Sequence, residues 1–257
     1  MTLIFAHRGY SARQPEMTRA AFVEAIAWSA RTRVPLGLEC DVHLSADSQL
    51  ICLHDLSVDR TSDGRGLAST RTVAQLRALD FGSWRVRRPT RDQRSLVTLP
   101  ELLALVAEAR AAGIEVSLAI ETKHPNSRGL ELEDRVAALL ASSGWDRAGA
   151  PVRLISFAPD ALGRLGRLLP ELERTFLLRT TFGPWVDGHL PAGVRVVGLE
   201  LALLRADPGY VDRVRARGHS VHAWTVNTRA DVDYCRGLGV TGLTTDDPEV
   251  AAGVLAA

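Results

Sequence analysis

The chain has 257 residues, 46% of them apolar and 24% charged, with a formal net charge of +1. That supplies a full core and excludes a general basic field drawing the chain to nucleic acid or a membrane surface. Three cysteines with no CxxC pair exclude a disulfide framework and a zinc-thiolate site, so free thiols in a reducing, cytoplasmic setting are expected.

In chain order, residues 2–7 make a short apolar run that reads as a buried strand. The run reaches His7-Arg8 too soon for a signal-peptide core. Apolar positions at Ala21, Phe22, Ala25, Ile26 and Trp28 give residues 18–31 helical spacing. Residues 36–44 alternate strictly: Leu36, Leu38, Cys40, Val42 and Leu44 on one side, Gly37, Glu39, Asp41 and His43 on the other. A turn leads to a short strand at 50–53, ending at His54-Asp55. Residues 56–95 are rich in Arg, Asp, Gly, Ser and Thr, with one helical patch at 72–79, and read as an excursion from the main fold. Pro100 opens a helix that Gly113 closes, and residues 114–121 form a strand. Further strands are expected at 152–157, 174–178, 194–199, 219–224 and 240–244. Helices at 130–142, 159–169, 208–217, 229–238 and from 249 onward separate them, and 180–191 is irregular. Eight or so strand–helix units in one domain, residues 1–257, fit an α/β fold of the (β/α)8 TIM-barrel type. The rival, a doubly wound open sheet, lacks a G-x-G-x-x-G after its first strand.

Active sites of such barrels lie at the carboxyl ends of the strands. There the sequence places His7-Arg8, Glu39 and Asp41, His54-Asp55, Glu121-Thr122-Lys123, Ser156-Phe157, Trp224-Thr225-Val226-Asn227 and Thr245-Asp246. Glu39 and Asp41, two apart on a strand, converge on one small volume and repel unless a cation lies between them. Mg²⁺ or Ca²⁺ suits such all-oxygen ligands, and Glu121 offers a third. The alternative is an edge strand with a solvated acidic face. Lys123 is the single lysine among 31 basic residues, a point charge suited to a phosphate, and Arg8 can hold an anion. His7 and His54 are the candidates for proton transfer. His43 has a supporting place on the carboxylate face, and His222 reads as core packing. Trp224 either stacks on an apolar part of a substrate or caps the core.

Several motifs together make the chain resemble the glycerophosphodiester phosphodiesterase family over nearly its whole length. They are His7-Arg8-Gly9, Pro15-Glu16-x-Thr18, Glu39-x-Asp41, His54-Asp55, Asp59-Arg60-Thr61 with Gly64 and Gly66, Glu121-x-Lys123, Trp224-Thr225-Val226-Asn227 and Thr245-Asp246-x-Pro248. The resemblance implies a barrel with a small insertion after the second strand, which residues 56–95 match. It implies that Glu39, Asp41 and Glu121 bind one divalent cation, Mg²⁺ or Ca²⁺. It also implies that His7 and His54 act as general base and acid, and that Arg8 and Lys123 contact phosphate. Where the family commonly has Asn, this chain has Met17, and Glu16 is taken to organise the loop. The implied activity is hydrolysis of a glycerophosphodiester to glycerol 3-phosphate and an alcohol. The expected partner is that small molecule, with neither nucleic acid nor stable membrane insertion. The alternatives are a phospholipase of C or D type acting on intact lipid, and a non-catalytic phosphodiester-binding barrel.

Overall fold

The computed structural model describes residues 2–256. Its elements run β1 (Leu3–Ala6), α1 (Arg19–Thr32), β2 (Leu36–Leu44), β3 (Leu50–Cys52), α2 (Val73–Arg77), α3 (Arg91–Arg94), α4 (Leu99–Ala111), β4 (Val116–Thr122), α5 (Glu131–Ser142) and β5 (Val152–Ser156). They continue with α6 (Pro159–Leu168), β6 (Glu173–Leu178), β7 (Val196–Glu200), α7 (Leu201–Ala206), α8 (Tyr210–Ala216), β8 (Ser220–Trp224), α9 (Arg229–Gly237), β9 (Gly242–Thr245) and α10 (Pro248–Leu255). With the short β3 set aside, the succession of strands and helices is that of a (β/α)8 barrel. Two helices were not expected: α3, a single turn within residues 56–95, and α7, which follows β7 directly because the run Leu201-Ala202-Leu203-Leu204 carries no turn residue to announce it.

Local signals set the boundaries. Thr18 caps α1, its hydroxyl accepting from Ala21 N and donating to Pro15 O. Thr98 and Glu101 form a capping box at α4, the Thr98 N–H donating to Glu101 Oε2 at 2.9 Å. Gly113, at φ +80, ends the same helix in a conformation that side chains resist.

Contacts divide the described residues into two units. One is Ala6–Lys123; the other comprises residues 2–5 and 124–256. In the first, β2 pairs parallel with β4 and antiparallel with β3. Helix α1 packs on β2 through Ala21, Phe22, Ala25 and Trp28, and α4 packs on β4 through Leu102, Leu103 and Val106. A small second core of Ile51, Leu53, Val58, Leu76, Phe81 and Leu96 underlies the segment 56–95. In the second unit, β5 to β9 run parallel in sequence order, and Leu3 N donates to Thr241 O beside β9. Its helices bury one face each, as α5 does with Leu132, Val136 and Leu140.

Candidate active site

The first unit holds the convergence of charge. Register puts Asp41 of β2 opposite Glu121 of β4 and Glu39 opposite Ala119. Alternate residues share a face, so three carboxylates meet. An oxygen from each of Glu39, Asp41 and Glu121 lies within 4.8 Å of the others. All three are buried, Asp41 to 1% exposure, which rules out the solvated acidic face considered from sequence. Parallel strands are covered on both faces, so alternation in β2 separates two buried faces rather than core from solvent.

Two cations answer the trio. Arg8 donates its backbone N–H to Glu39 Oε2 at 3.0 Å, and its Nε lies 3.3 Å from Asp41 Oδ2. Lys123 Nζ lies 3.0 Å from Asp41 Oδ1 and 2.8 Å from Glu121 Oε1. The carboxylates respond unequally. Burial, then Asp41 and Glu121, push Glu39 well up. Burial, then Asp41, push Glu121 up to about 8. Burial also works to raise Asp41, but Lys123 and Arg8, followed by His54 and His7, outweigh it and hold that carboxyl low. Asp41 Oδ2 is buried and makes no hydrogen bond among the described residues. A buried all-oxygen trio with an orphaned carboxylate oxygen fits a hard divalent cation.

His54 follows β3, and its Nδ1 lies 2.6 Å from Asp55 Oδ1. Burial works to raise Asp55, but hydrogen bonds from Arg60 and His54 bring it down to about 2. An ionised Asp55 only accepts, so Nδ1 carries the hydrogen and Nε2 is left for proton exchange. Burial, aided by Arg8 and Lys123 against Asp41, lowers His54. His43 Nε2, also buried, donates to His54 O at 3.2 Å and steadies the same turn. His7, directly after β1, is half-buried and adds to the positive field on Asp41.

Arg60 ties these groups together. Its Nε donates to Asp55 Oδ2 at 2.7 Å, and its Nη2 and Nη1 reach Glu16 Oε1 and Oε2 at 2.7 and 3.0 Å. Glu16 in turn accepts from Arg8 Nη1 at 2.8 Å, so it organises the loop and is not one of the clustered oxygens. Arg60 was missed as a site residue. Its one sequence signal is the run Asp59-Arg60-Thr61, and its partner Glu16 stands 44 positions away. Met17, beside Glu16, is buried at φ +59, a conformation that Asn tolerates better.

Of the eight residues singled out in the sequence, His7, Arg8, Glu39, Asp41, His54, Glu121 and Lys123 all fall within Ala6–Lys123. Trp224 belongs to the other unit. There its ring meets Phe157 edge-on, centroids 5.6 Å apart, and Arg179 lies over it at 5.3 Å. His222, in the same unit, is a core residue, with Arg153 Nη1 3.5 Å from its Nδ1 and its pKa driven down to about 3 by burial. No described helix is long and apolar enough to cross a membrane.

Comparison with known proteins gives a consistent result. The model of the glycerophosphoryl diester phosphodiesterase family matches residues 7–250. The chain is 38% identical over 254 residues to the "Probable glycerophosphodiester phosphodiesterase 1" of Mycobacterium tuberculosis, covering 95% of this chain and 89% of that one. It is 28% identical over 250 residues to the glycerophosphodiester phosphodiesterase of Caldanaerobacter subterraneus, with 96% and 95% coverage. Among solved structures it matches an Oleispira antarctica phosphodiesterase in complex with the product sn-glycerol-3-phosphate. The TM-score is 0.83 at 23% identity, over 99% of this chain and 97% of that one. A glycerophosphodiester phosphodiesterase from Agrobacterium tumefaciens matches with TM-score 0.77 at 24% identity, over 99% and 100%. These two structural matches show the fold, a (β/α)8 TIM barrel.

Proposed function

The chain belongs to the glycerophosphoryl diester phosphodiesterase family, and from that premise we propose that it hydrolyses a glycerophosphodiester to glycerol 3-phosphate and an alcohol. The observation carrying this reading is the buried trio of Glu39, Asp41 and Glu121 in the same unit as two histidines and two cationic side chains. In this reading the trio holds one divalent cation, Mg²⁺ or Ca²⁺. When bound, that ion draws charge from the phosphate oxygens as a Lewis acid. Arg8 and Lys123 are the anchors for the diester's anionic oxygens, and they stabilise the extra negative charge of the transition state. One histidine takes a proton from the attacking hydroxyl, and the other delivers one to the leaving alkoxide. His54 is fitted for such exchange at Nε2, because Asp55 fixes the hydrogen on Nδ1. Arg60 holds Asp55 and Glu16 in place behind these groups. We place the reaction in the cytoplasm, which the three free, buried thiols support.

The test is release of glycerol 3-phosphate from glycerophosphocholine, glycerophosphoethanolamine and glycerophosphoglycerol, with Mg²⁺ or Ca²⁺ added after chelation. His7→Ala and His54→Ala should each lower kcat by about 10²–10⁴-fold while leaving the thermal midpoint unchanged. Undiminished turnover in either variant removes that histidine from the mechanism. Activity that persists in excess chelator removes the cation, and cleavage confined to phospholipid vesicles replaces the substrate class.

A further inference from the structure

The near-zero net charge conceals a division. Residues 56–95 carry nine arginines against four aspartates, a balance of +5, which leaves −4 for the rest of a chain whose total is +1. The most prominent part of this segment is the loop Ser83-Trp84-Arg85-Val86-Arg87-Arg88, which lies outside every helix and strand. Trp84 is 39% exposed, and Arg85, Arg87 and Arg88 are exposed beside it. The Trp84 indole N–H is already satisfied, donating to Phe81 O at 3.0 Å, so what the ring offers solvent is apolar.

Nearby acids are committed elsewhere. Asp80 accepts from the backbone of Gly82 and Ser83 and lies 3.5 Å from Arg94. Asp92 pairs with Arg19 at 2.9 Å. Arg85 is taken up by the carbonyl of Ala12. Arg87 and Arg88 have no acidic partner among the described residues, whereas Arg77, Arg164, Arg205 and Arg236 each have one. Two adjacent unneutralised guanidinium groups next to a half-exposed indole make a surface of defined chemistry. The guanidinium groups match lipid phosphates, and the apolar ring beside them suits the boundary between headgroups and acyl chains of a bilayer.

We propose that the loop of residues 83–88 docks the protein on an anionic phospholipid surface. Leu56 and Leu67, elsewhere in the same segment, are 51% and 49% exposed. Single-stranded nucleic acid would ask for several aromatic rings to stack successive bases, and this loop supplies one. The docking loop is also tied to the site. Arg85 grips Ala12, and Gln93 Nε2 donates to Gln14 Oε1 at 2.9 Å, both in the stretch between β1 and α1 that carries Arg8 and Glu16. Glycerophosphodiesters are deacylated phospholipids and leave a membrane at its surface, so docking would set the enzyme where they are released.

The experiment is co-sedimentation of the full chain with vesicles of phosphatidylcholine alone and of phosphatidylcholine mixed equally with phosphatidylglycerol. Binding is expected to the mixed vesicles only, and to disappear near 1 M salt, where the Debye length is about 3 Å. Arg87→Gln with Arg88→Gln should weaken binding about 30-fold, about fivefold for each charge removed. That variant should keep its circular dichroism and its turnover of soluble glycerophosphocholine. Trp84→Ala should weaken vesicle binding without altering the salt dependence. Equal binding to both vesicle types, binding to neither, or unchanged binding by the double variant overturns the proposal. Tighter binding to single-stranded DNA than to mixed vesicles overturns it in favour of nucleic acid.

Discussion

Asp55 shows how one side chain sets the chemistry of its neighbour. Held at about 2 against the pull of burial, it remains an acceptor and keeps the hydrogen of His54 on Nδ1. Asp55→Asn presents an amide in its place, which can donate to Nδ1 and reverse the tautomer. The expected result is a fall in kcat of about 10²–10⁴-fold, with KM and the thermal midpoint little changed. Steady-state kinetics on a soluble diester checks it, and a change confined to KM would assign Asp55 to substrate binding. At this scale the sequence was informative wherever a residue announces itself by type and spacing. Glu39 and Asp41 do so through alternation, and Lys123 through being the single lysine. Arg60 does so only faintly, because the run Asp59-Arg60-Thr61 does not say what the guanidinium binds, and its bond to Glu16 exists only once the chain has folded.

At the scale of the element, β2 carries the site because it has neighbours on both edges, β4 in parallel register and β3 antiparallel. Periodicity revealed the strand and its two faces. It could not reveal that both faces are covered, since that depends on what packs over each. The helices were legible through caps and breakers such as Thr18, Pro100 and Gly113, while α7, which lacks them, was not. The loop leading into α1 depends on a close approach. A Cβ at Gly9 would lie 2.7 Å from the Ala21 backbone carbon, and φ there is +80. Gly9→Ala should therefore cost about 2–4 kcal/mol, combining left-handed strain with overpacking. Urea unfolding measures this, and an unchanged midpoint would show that α1 yields instead.

Across the whole molecule, stability should follow the protonation of the buried trio. Glu121 sits at about 8 in the metal-free protein, against about 4.3 when unfolded. A carboxyl raised by folding binds a proton that the unfolded chain has released. Its contribution is therefore fully present below about pH 4.3 and is lost as pH rises through 8. Asp55 acts in the opposite sense, losing its contribution only as pH falls from about 4 through 2. Between about pH 6.5 and 8, above the range in which the depressed His222 works in the opposite sense, the chelated protein should thus become easier to unfold as pH rises. Mg²⁺ or Ca²⁺ at about 100 times its Kd should add about 2.7 kcal/mol, raising Tm by roughly 5–10 °C. Thermal scans with and without chelator across this range check both, and a metal-insensitive midpoint would remove the cation from the trio. Composition spoke for the whole chain but averaged over it: a total of +1 gave no hint of a +5 segment balanced by −4 elsewhere.

The clasp of Lys123 between Asp41 and Glu121 has a practical corollary. A chain with thirty arginines and one lysine offers amine-reactive chemistry a single side chain to modify, and that side chain is anchored in the heart of the site. An acyl tag found on the peptide containing residue 123 would be a footprint of the clasp letting go. The protein carries its own reporter, with no residue needing to be engineered.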